Sequence, residues 1–209
     1  MKGLLVFLFG LALGGCVASA PQLPSTQVFD CEGGYRVVSR VEGQQHWLYL
    51  PSGKLHADLV RERSGINWVA GEVSFQQEKE EARLNIRGQS SRQCKPDLNA
   101  TIWEDARFRG VEFRAVGNEP GWYLEIDRTQ IFYAGNYGRD TLHFPFRPPR
   151  VEGRSARTIY SSSAQGRSLD VQLEAGDCFD SMSGKHFNTR VTLSLDGGAP
   201  RYGCGRVLN

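Results

Sequence analysis

Along most of this chain apolar and polar residues alternate with a period of two, the pattern of a half-buried β-strand. In KLHADLV, Leu55, Ala57 and Leu59 share one face, while Lys54, His56 and Asp58 take the other. ARLNIRG sets Ala82, Leu84 and Ile86 against Arg83, Asn85 and Arg87. Between HWLYL and KLHADLV stands PSG, Pro51 to Gly53, which reads as a hairpin turn. The second half repeats the pattern with Val111, Phe113 and Ala115, then Trp122, Leu124 and Ile126, then Leu142, Phe144 and Phe146. Leu169, Val171 and Leu173 follow, and Val191, Leu193 and Leu195 close the series. Neither heptads nor a long helical periodicity interrupts these runs, and glycines and prolines punctuate them. Short strands with frequent turn signals predict antiparallel barrels or sandwiches. A change of pattern near KPDLNA, residues 95–100, marks the boundary. The expectation is an all-β chain of two small antiparallel, barrel-like modules, over 27–98 and 99–209.

The front of the chain departs from that pattern. A single cation, Lys2, precedes the apolar and glycine run GLLVFLFGLALGG. Its core is far shorter than the ~20 residues that cross a bilayer as a helix. A charged start, a short apolar centre and small residues at the end make a secretory signal. Leu13-Gly14-Gly15-Cys16 resembles the lipobox of bacterial lipoproteins, which implies a signal peptide over 1–15 and acyl chains, palmitate among them, on Cys16. Buried acyl chains contribute ~0.8 kcal/mol per CH₂, and two or more anchor a protein stably. Residues 16–26, small, polar and proline-containing, suit an anchor and tether. Val17 after the cysteine, by resemblance to Gram-negative sorting patterns, favours the outer membrane, facing the periplasm. The alternative is an ordinary signal cut after Ala18 or Ala20.

Setting Cys16 aside turns five cysteines into an even set, Cys31, Cys94, Cys178 and Cys204. An even set in an exported chain implies disulfides. Three pairings are open; chain order favours Cys31–Cys94 and Cys178–Cys204, each bracketing one patterned region. No C-x-x-C occurs and the four histidines are scattered, so neither a metal nor a cofactor is expected. A net charge of +2, with both signs mixed throughout, carries no nucleic-acid footprint. Ser161 to Ser163 lack the G-x-S-x-G surroundings of a nucleophile, and nothing pairs a nucleophile with its base, so an enzyme is not expected.

From Val28 to Cys94 the chain resembles the membrane-bound inhibitors of c-type lysozyme (the MliC type). VFDCEGG matches the family's opening aromatic-x-Cys-x-x-Gly, RSGINW its Ser-Gly loop, and VSFQQEKEEARLNI its aromatic strand, charged turn and Ala-containing strand. RQC places the second cysteine where the family closes its disulfide. The resemblance implies a small antiparallel β-barrel whose partner is c-type lysozyme, with Ser64, Gly65, Asn67, Trp68 and Lys79 as contact residues. Asn67 stands where the family has arginine, Trp68 where it has tyrosine, and Glu78-Lys79 aligns with its Lys-Gly turn.

The remainder resembles an uncharacterised family of bacterial exported proteins through VEFRAVGNEPGWYLEI and CFDSMSGKHF…YGCGRVL. That family brings no activity with it. Within these segments Glu119, Asp180, Ser183 and Lys185 are the candidate ligand-recognising groups, for an unknown ligand. The expected function is a lipid-anchored envelope protein that inhibits c-type lysozyme by inserting the Ser-Gly loop into its cleft. The alternative is an envelope lipoprotein with a binding or structural role and no inhibition.

Overall fold

The computed structural model describes residues 25–43, 45–62, 65–78, 81–153 and 156–208. Cys16, Ser64 and Lys79 lie outside the described residues. The first eight strands close on themselves. β1 (Ser25–Cys31) pairs with β2 (Tyr35–Glu42), and the antiparallel ladder continues through β3 (Gln45–Leu50), β4 (Gly53–Glu62) and β5 (Gly65–Ala70). It then passes through β6 (Val73–Glu78) and β7 (Glu81–Ile86) to β8 (Arg92–Pro96), which pairs back onto β1. Pro51 and Ser52 form the β3–β4 turn, with Leu50 opposite Gly53.

Alternation sends Phe29, Val37, Leu48, Ala57, Phe75 and Leu84 into the barrel, where all are buried. Phe29 meets Phe75 edge to face at 5.0 Å between ring centroids. Cys31 and Cys94 stand directly opposite each other in the closing β1–β8 ladder and are bonded. The bond therefore staples the seam, across 63 residues of chain.

A nine-stranded antiparallel sheet follows. Its strands are β9 (Phe113–Asn118), β10 (Gly121–Ile126), β11 (Gln130–Gly135), β12 (Asp140–Pro145), β13 (Arg150–Glu152), β14 (Arg157–Ala164), β15 (Arg167–Phe179), β16 (His186–Leu195) and β17 (Arg201–Val207). Their spatial order is β12-β11-β10-β9-β17-β16-β15-β14-β13, so the last strand in sequence sits beside the first. The sheet curls until Ser162 on β14 donates from its hydroxyl to the Pro145 carbonyl at the end of β12, at 2.7 Å. Phe113, Ala115, Trp122, Leu124, Leu169 and Leu193 are among the residues of its inner core. Cys178 and Cys204 are bonded across the intervening β16, so both pairings favoured by chain order are present.

One element was absent from the sequence reading. Residues Leu98–Phe108 form a helix, α1, where the pattern indicated only a connection, and the boundary between 98 and 99 falls in its first turn. Asp97 caps its start, accepting from the Ala100 N–H at 2.8 Å. At its end Gly110, at φ +85°, donates to the Arg107 carbonyl, and Val111 N–H reaches the Ala106 carbonyl. That pairing is a Schellman termination, which needs glycine at the left-handed position.

The helix is buried on two sides. Ala100 and Phe108 pack on Val28, Val38 and Tyr49 of the barrel's outer face. Trp103 and Ala106 pack with Val111, Phe187, Cys204 and Leu208 on the sheet. Val111 thus belongs to this joint, whereas Phe113 and Ala115 face the inner core.

Polar groups follow the same path. Thr26 donates to Asp105, and buried Arg40 donates to Thr26 and Glu42. Arg109 makes two 2.9 Å bonds to Glu125, which also pairs with Arg114. Burial holds the Arg114 guanidinium below its ordinary pKa despite the opposing Glu125 charge, while the hydrogen bond to Glu125 raises that of Arg109.

Candidate functional site

Two places collect the residues singled out by the sequence. The first is one mouth of the barrel. Glu62 pairs with Gly65 at the β4–β5 connection, and Glu78 pairs with Glu81 at the β6–β7 connection. β5 and β6 are neighbours with Ile66 opposite Gln77, so the start of β5 and the end of β6 lie side by side on the same rim. Each connection is only two residues long. One of them, 63–64, contains Ser64; the other, 79–80, contains Lys79.

Beneath this rim the barrel is plugged by polar and aromatic groups. Gln77 donates to Gln27 at 3.2 Å, joining β6 to β1 across the mouth. Below them His46, 2 % exposed, bonds Ser39 at 2.8 Å between Nε2 and Oγ. Its ring lies 3.5 Å from that of Trp68, centroid to centroid. Burial first, and the charge of His56 second, push the His46 pKa down to about 4, so the imidazole is neutral at pH 7.

Trp68 therefore serves the barrel interior, packed against its core. Asn67, its strand neighbour, takes the opposite face and pairs in register with Gln76. Of the two, Asn67 is the one on the outer side of the barrel wall, where it is half-buried.

The second place lies on the outer face of the sheet, where the two long motifs of the C-terminal half come together. Asn118, at the end of β9, donates to Asp180 Oδ2 at 2.8 Å and to Ser181 Oγ at 2.9 Å. This links GNEPGW to CFDSMS. Asp180 also accepts from the Ser183 N–H and hydroxyl, both at 2.7 Å. Desolvation pulls its pKa up, but the bonds from Ser183, Asn118 and Met182 outweigh it and hold the carboxyl below the usual range.

Asp180 and Ser183 thus shape the loop from within. Lys185 joins through its backbone, its carbonyl accepting from the Asp180 N–H at 2.9 Å. Glu119 is exposed at the tip of the β9–β10 turn.

Beside this loop is a pocket of about 460 Å³. Four neighbouring strands floor it, through Val116 of β9, Cys204 of β17, Arg190 of β16 and Glu174 of β15. Phe179 and Tyr202 stand at its rim, 65 % and 69 % exposed. Neither the rim aromatics nor Arg190 stood out in the sequence. The period-two pattern places them on polar faces, and only the strand order lines those faces up. Tyr202 lies between turn residues and a cysteine, and that neighbourhood hides its role.

Among the described residues no cluster of His, Cys, Asp and Glu is arranged to hold a metal ion, and no helix is long and apolar enough to cross a membrane. Compared with family models, with curated proteins and with solved structures, the chain finds no match in any of the three.

Proposed function

We propose that this chain is a lipid-anchored protein of the cell envelope that inhibits c-type lysozyme with the barrel rim, led by Ser64. The observation that carries this reading is the adjacency of the start of β5 and the end of β6, with Ile66 opposite Gln77, the strand ends next to which Ser64 and Lys79 fall in sequence. A hydroxyl and an ammonium presented by neighbouring two-residue connections are what a lysozyme cleft requires. That cleft works with one protonated and one ionised carboxyl. A serine hydroxyl donates to one and accepts from the other, and a lysine pairs with the ionised one. Occupying both keeps the sugar out. Glu78 and Glu81 flank the second connection and would steer a basic lysozyme towards the rim.

In this reading Cys16 carries the lipid, residues 17–24 lead to the barrel, and Asn67 rather than Trp68 contributes to the contact face. A binding role without inhibition is the second reading, favoured by the pocket on the sheet.

Residual lysozyme activity on cell-wall substrate decides between them, measured with soluble protein lacking residues 1–16. Stoichiometric inhibition is expected, weakened at least ~10-fold in a Ser64→Ala, Lys79→Ala double variant, as for residues at the centre of an interface. Absence of inhibition by folded, disulfide-bonded protein rejects the proposal.

A further inference from the structure

The pocket on the outer face of the sheet has the makings of a ligand site, and its chemistry narrows the ligand. Arg190 is held in an unusual way. β15 is bulged between Ala175 and Cys178, and Gly176 in that bulge has φ +147°. A Cβ at Gly176 would stand 3.0 to 3.1 Å from the Nη2, Cζ and Nη1 atoms of Arg190 alike. Three equal distances mean that the guanidinium lies flat over the glycine. Its nearest carboxylate, Glu174, keeps Oε2 3.9 Å from Nε, while the other oxygen, Oε1, accepts from Arg157 at 2.6 Å and from Gln172 at 2.9 Å. The Arg190 side chain stays 56 % exposed. A planar, preorganised donor fork thus fronts the pocket with its strongest potential partner shared with Arg157 and Gln172.

Around it stand an acceptor, Glu174, and the hydroxyls of Thr192 and Ser181. Phe179 and Tyr202 present aromatic faces at the rim, and Phe179 is braced against the His186 ring at 5.0 Å. His186 in turn bonds Asp177 at 2.7 Å. The Cys178–Cys204 bond ties the loop bearing Phe179 to the strand bearing Tyr202, so the aromatic pair is fixed in place.

From this we infer that the pocket binds an oligosaccharide, with Tyr202 and Phe179 stacking on the apolar faces of sugar rings and Arg190 and Glu174 bonding their hydroxyls. Three competing ligand classes fit less well. An extended peptide needs a regular open strand edge; β9, β17 and β16 are paired on both sides, and β15, unpaired with β14 beyond Glu174, is bulged there between Ala175 and Cys178. Nucleic acid needs a cationic stripe, and here Glu174, Asp177 and Asp180 offset Arg190 and Arg157. A lipid tail would leave the guanidinium and carboxylate desolvated without partners. A sugar uses every group present: donors and acceptors side by side, rings beside them, and a volume within the range of small-ligand sites. The site is independent of the barrel rim, so its fate does not depend on lysozyme inhibition.

Calorimetric titration of soluble protein with three tetrasaccharides tests this: N-acetylglucosamine tetramer, maltotetraose and tetragalacturonate. At least one is expected to bind with Kd below about 1 mM. Tyr202→Ala and Arg190→Ala, both at exposed positions, should each weaken it at least ~10-fold, the worth of one charge-assisted contact. Leu98→Ala, at an exposed position of α1 outside the pocket lining, should leave it unchanged. Preference for the uronate would assign Arg190 to an acidic sugar, and preference for either neutral chain would assign it to hydroxyls. Binding that survives both pocket variants, or no binding by any of the three, overturns the inference.

Discussion

The barrel and the curled sheet bury similar strands by different means, and their polar interiors differ accordingly. The barrel closes on itself and has no edge, with its disulfide lying directly across the closing ladder. Its buried polar contact is the neutral pair of Ser39 and His46, sealed inside. The sheet stays open, with β12 and β13 each paired on one side only, and its disulfide steps over a strand to pin a loop. It buries an ion pair on the face covered by α1, where Glu125 meets Arg114 and Arg109. The buried Arg40 of the barrel likewise lies not inside it but on its outer wall against α1, near Glu42 and Asp105. A closed barrel admits no outside partner to its interior, so a group enclosed there must be neutral or satisfied by a neighbouring strand. A sheet covered by a helix can draw counter-ions from that helix, and Arg109 is such a counter-ion. The same contrast separates their functional surfaces: one offers the tips of its hairpins, the other a face.

The largest expected effect comes from removing the charge that the sheet has buried. Glu125→Ala leaves Arg114, 6 % exposed, with no carboxylate beside it. Breaking a buried pair in this way costs about 3 to 5 kcal/mol. Chemical denaturation should show that loss, confined to the sheet, with amide exchange in β9 and β10 accelerated and that in β3 and β4 unchanged. Adding Arg114→Met should recover most of it, because the orphaned charge is then gone. A loss below about 1 kcal/mol would mean that solvent reaches Arg114, and the contrast drawn above would fail.

The barrel should break in acid. His46 in the fold takes a proton only near pH 4, whereas in the unfolded chain it does so near 6.5. The unfolded state therefore binds more protons between these values, and stability falls as pH drops through that window. The loss should approach about 3 kcal/mol at pH 4 relative to pH 7, since each pKa unit is worth ~1.4 kcal/mol. The loss is absent above the unfolded value and complete below the folded one. Comparing pH series for the parent and His46→Gln isolates the contribution, because carboxylates titrate alike in both. An identical slope in the two would show that His46 is charged or solvated in the barrel.

Much of this architecture was legible in the sequence, for a physical reason. Period-two alternation records which residues face inward. Ala82, Leu84, Trp122, Leu124, Leu169 and Val171 all lie where it places them. The two disulfides followed from chain order because each β unit is built from consecutive sequence. Strand order in the sheet was not legible, since β17 enters beside β9 through contacts that no local pattern encodes. The pocket was hidden for the same reason, its groups coming from four strands and a loop. Of the C-terminal candidates, Asp180 and Ser183 proved to organise that loop, and Asn118, which joins it to the other motif, carried no signal beyond standing next to a turn.

The helix is a different kind of omission, because its signals were present. Asp97 and Gly110 stand at positions suited to an N-cap and a C-terminal glycine, and Val111 after the glycine matches the apolar contact of a Schellman end. What the segment lacks is a single apolar stripe. Both sides of α1 are buried, so Ala100, Trp103, Ala106 and Phe108 do not fall on one face of a 3.6-residue repeat. Caps should accordingly matter more here than in a helix held by one broad stripe. Asp97→Ala removes the bond to the Ala100 N–H and also the 3.3 Å contact from Arg36 on the barrel. The expected cost is about 1 kcal/mol, the smallest of the three, because the Arg36 contact is exposed and adds little. Its location is the sharper test. Amides in the first turn of α1 should exchange faster, while those in the β1–β8 seam, locked by Cys31–Cys94, should not change. Faster exchange in β1 as well would show that the helix cap, and not the disulfide, secures the barrel against the sheet.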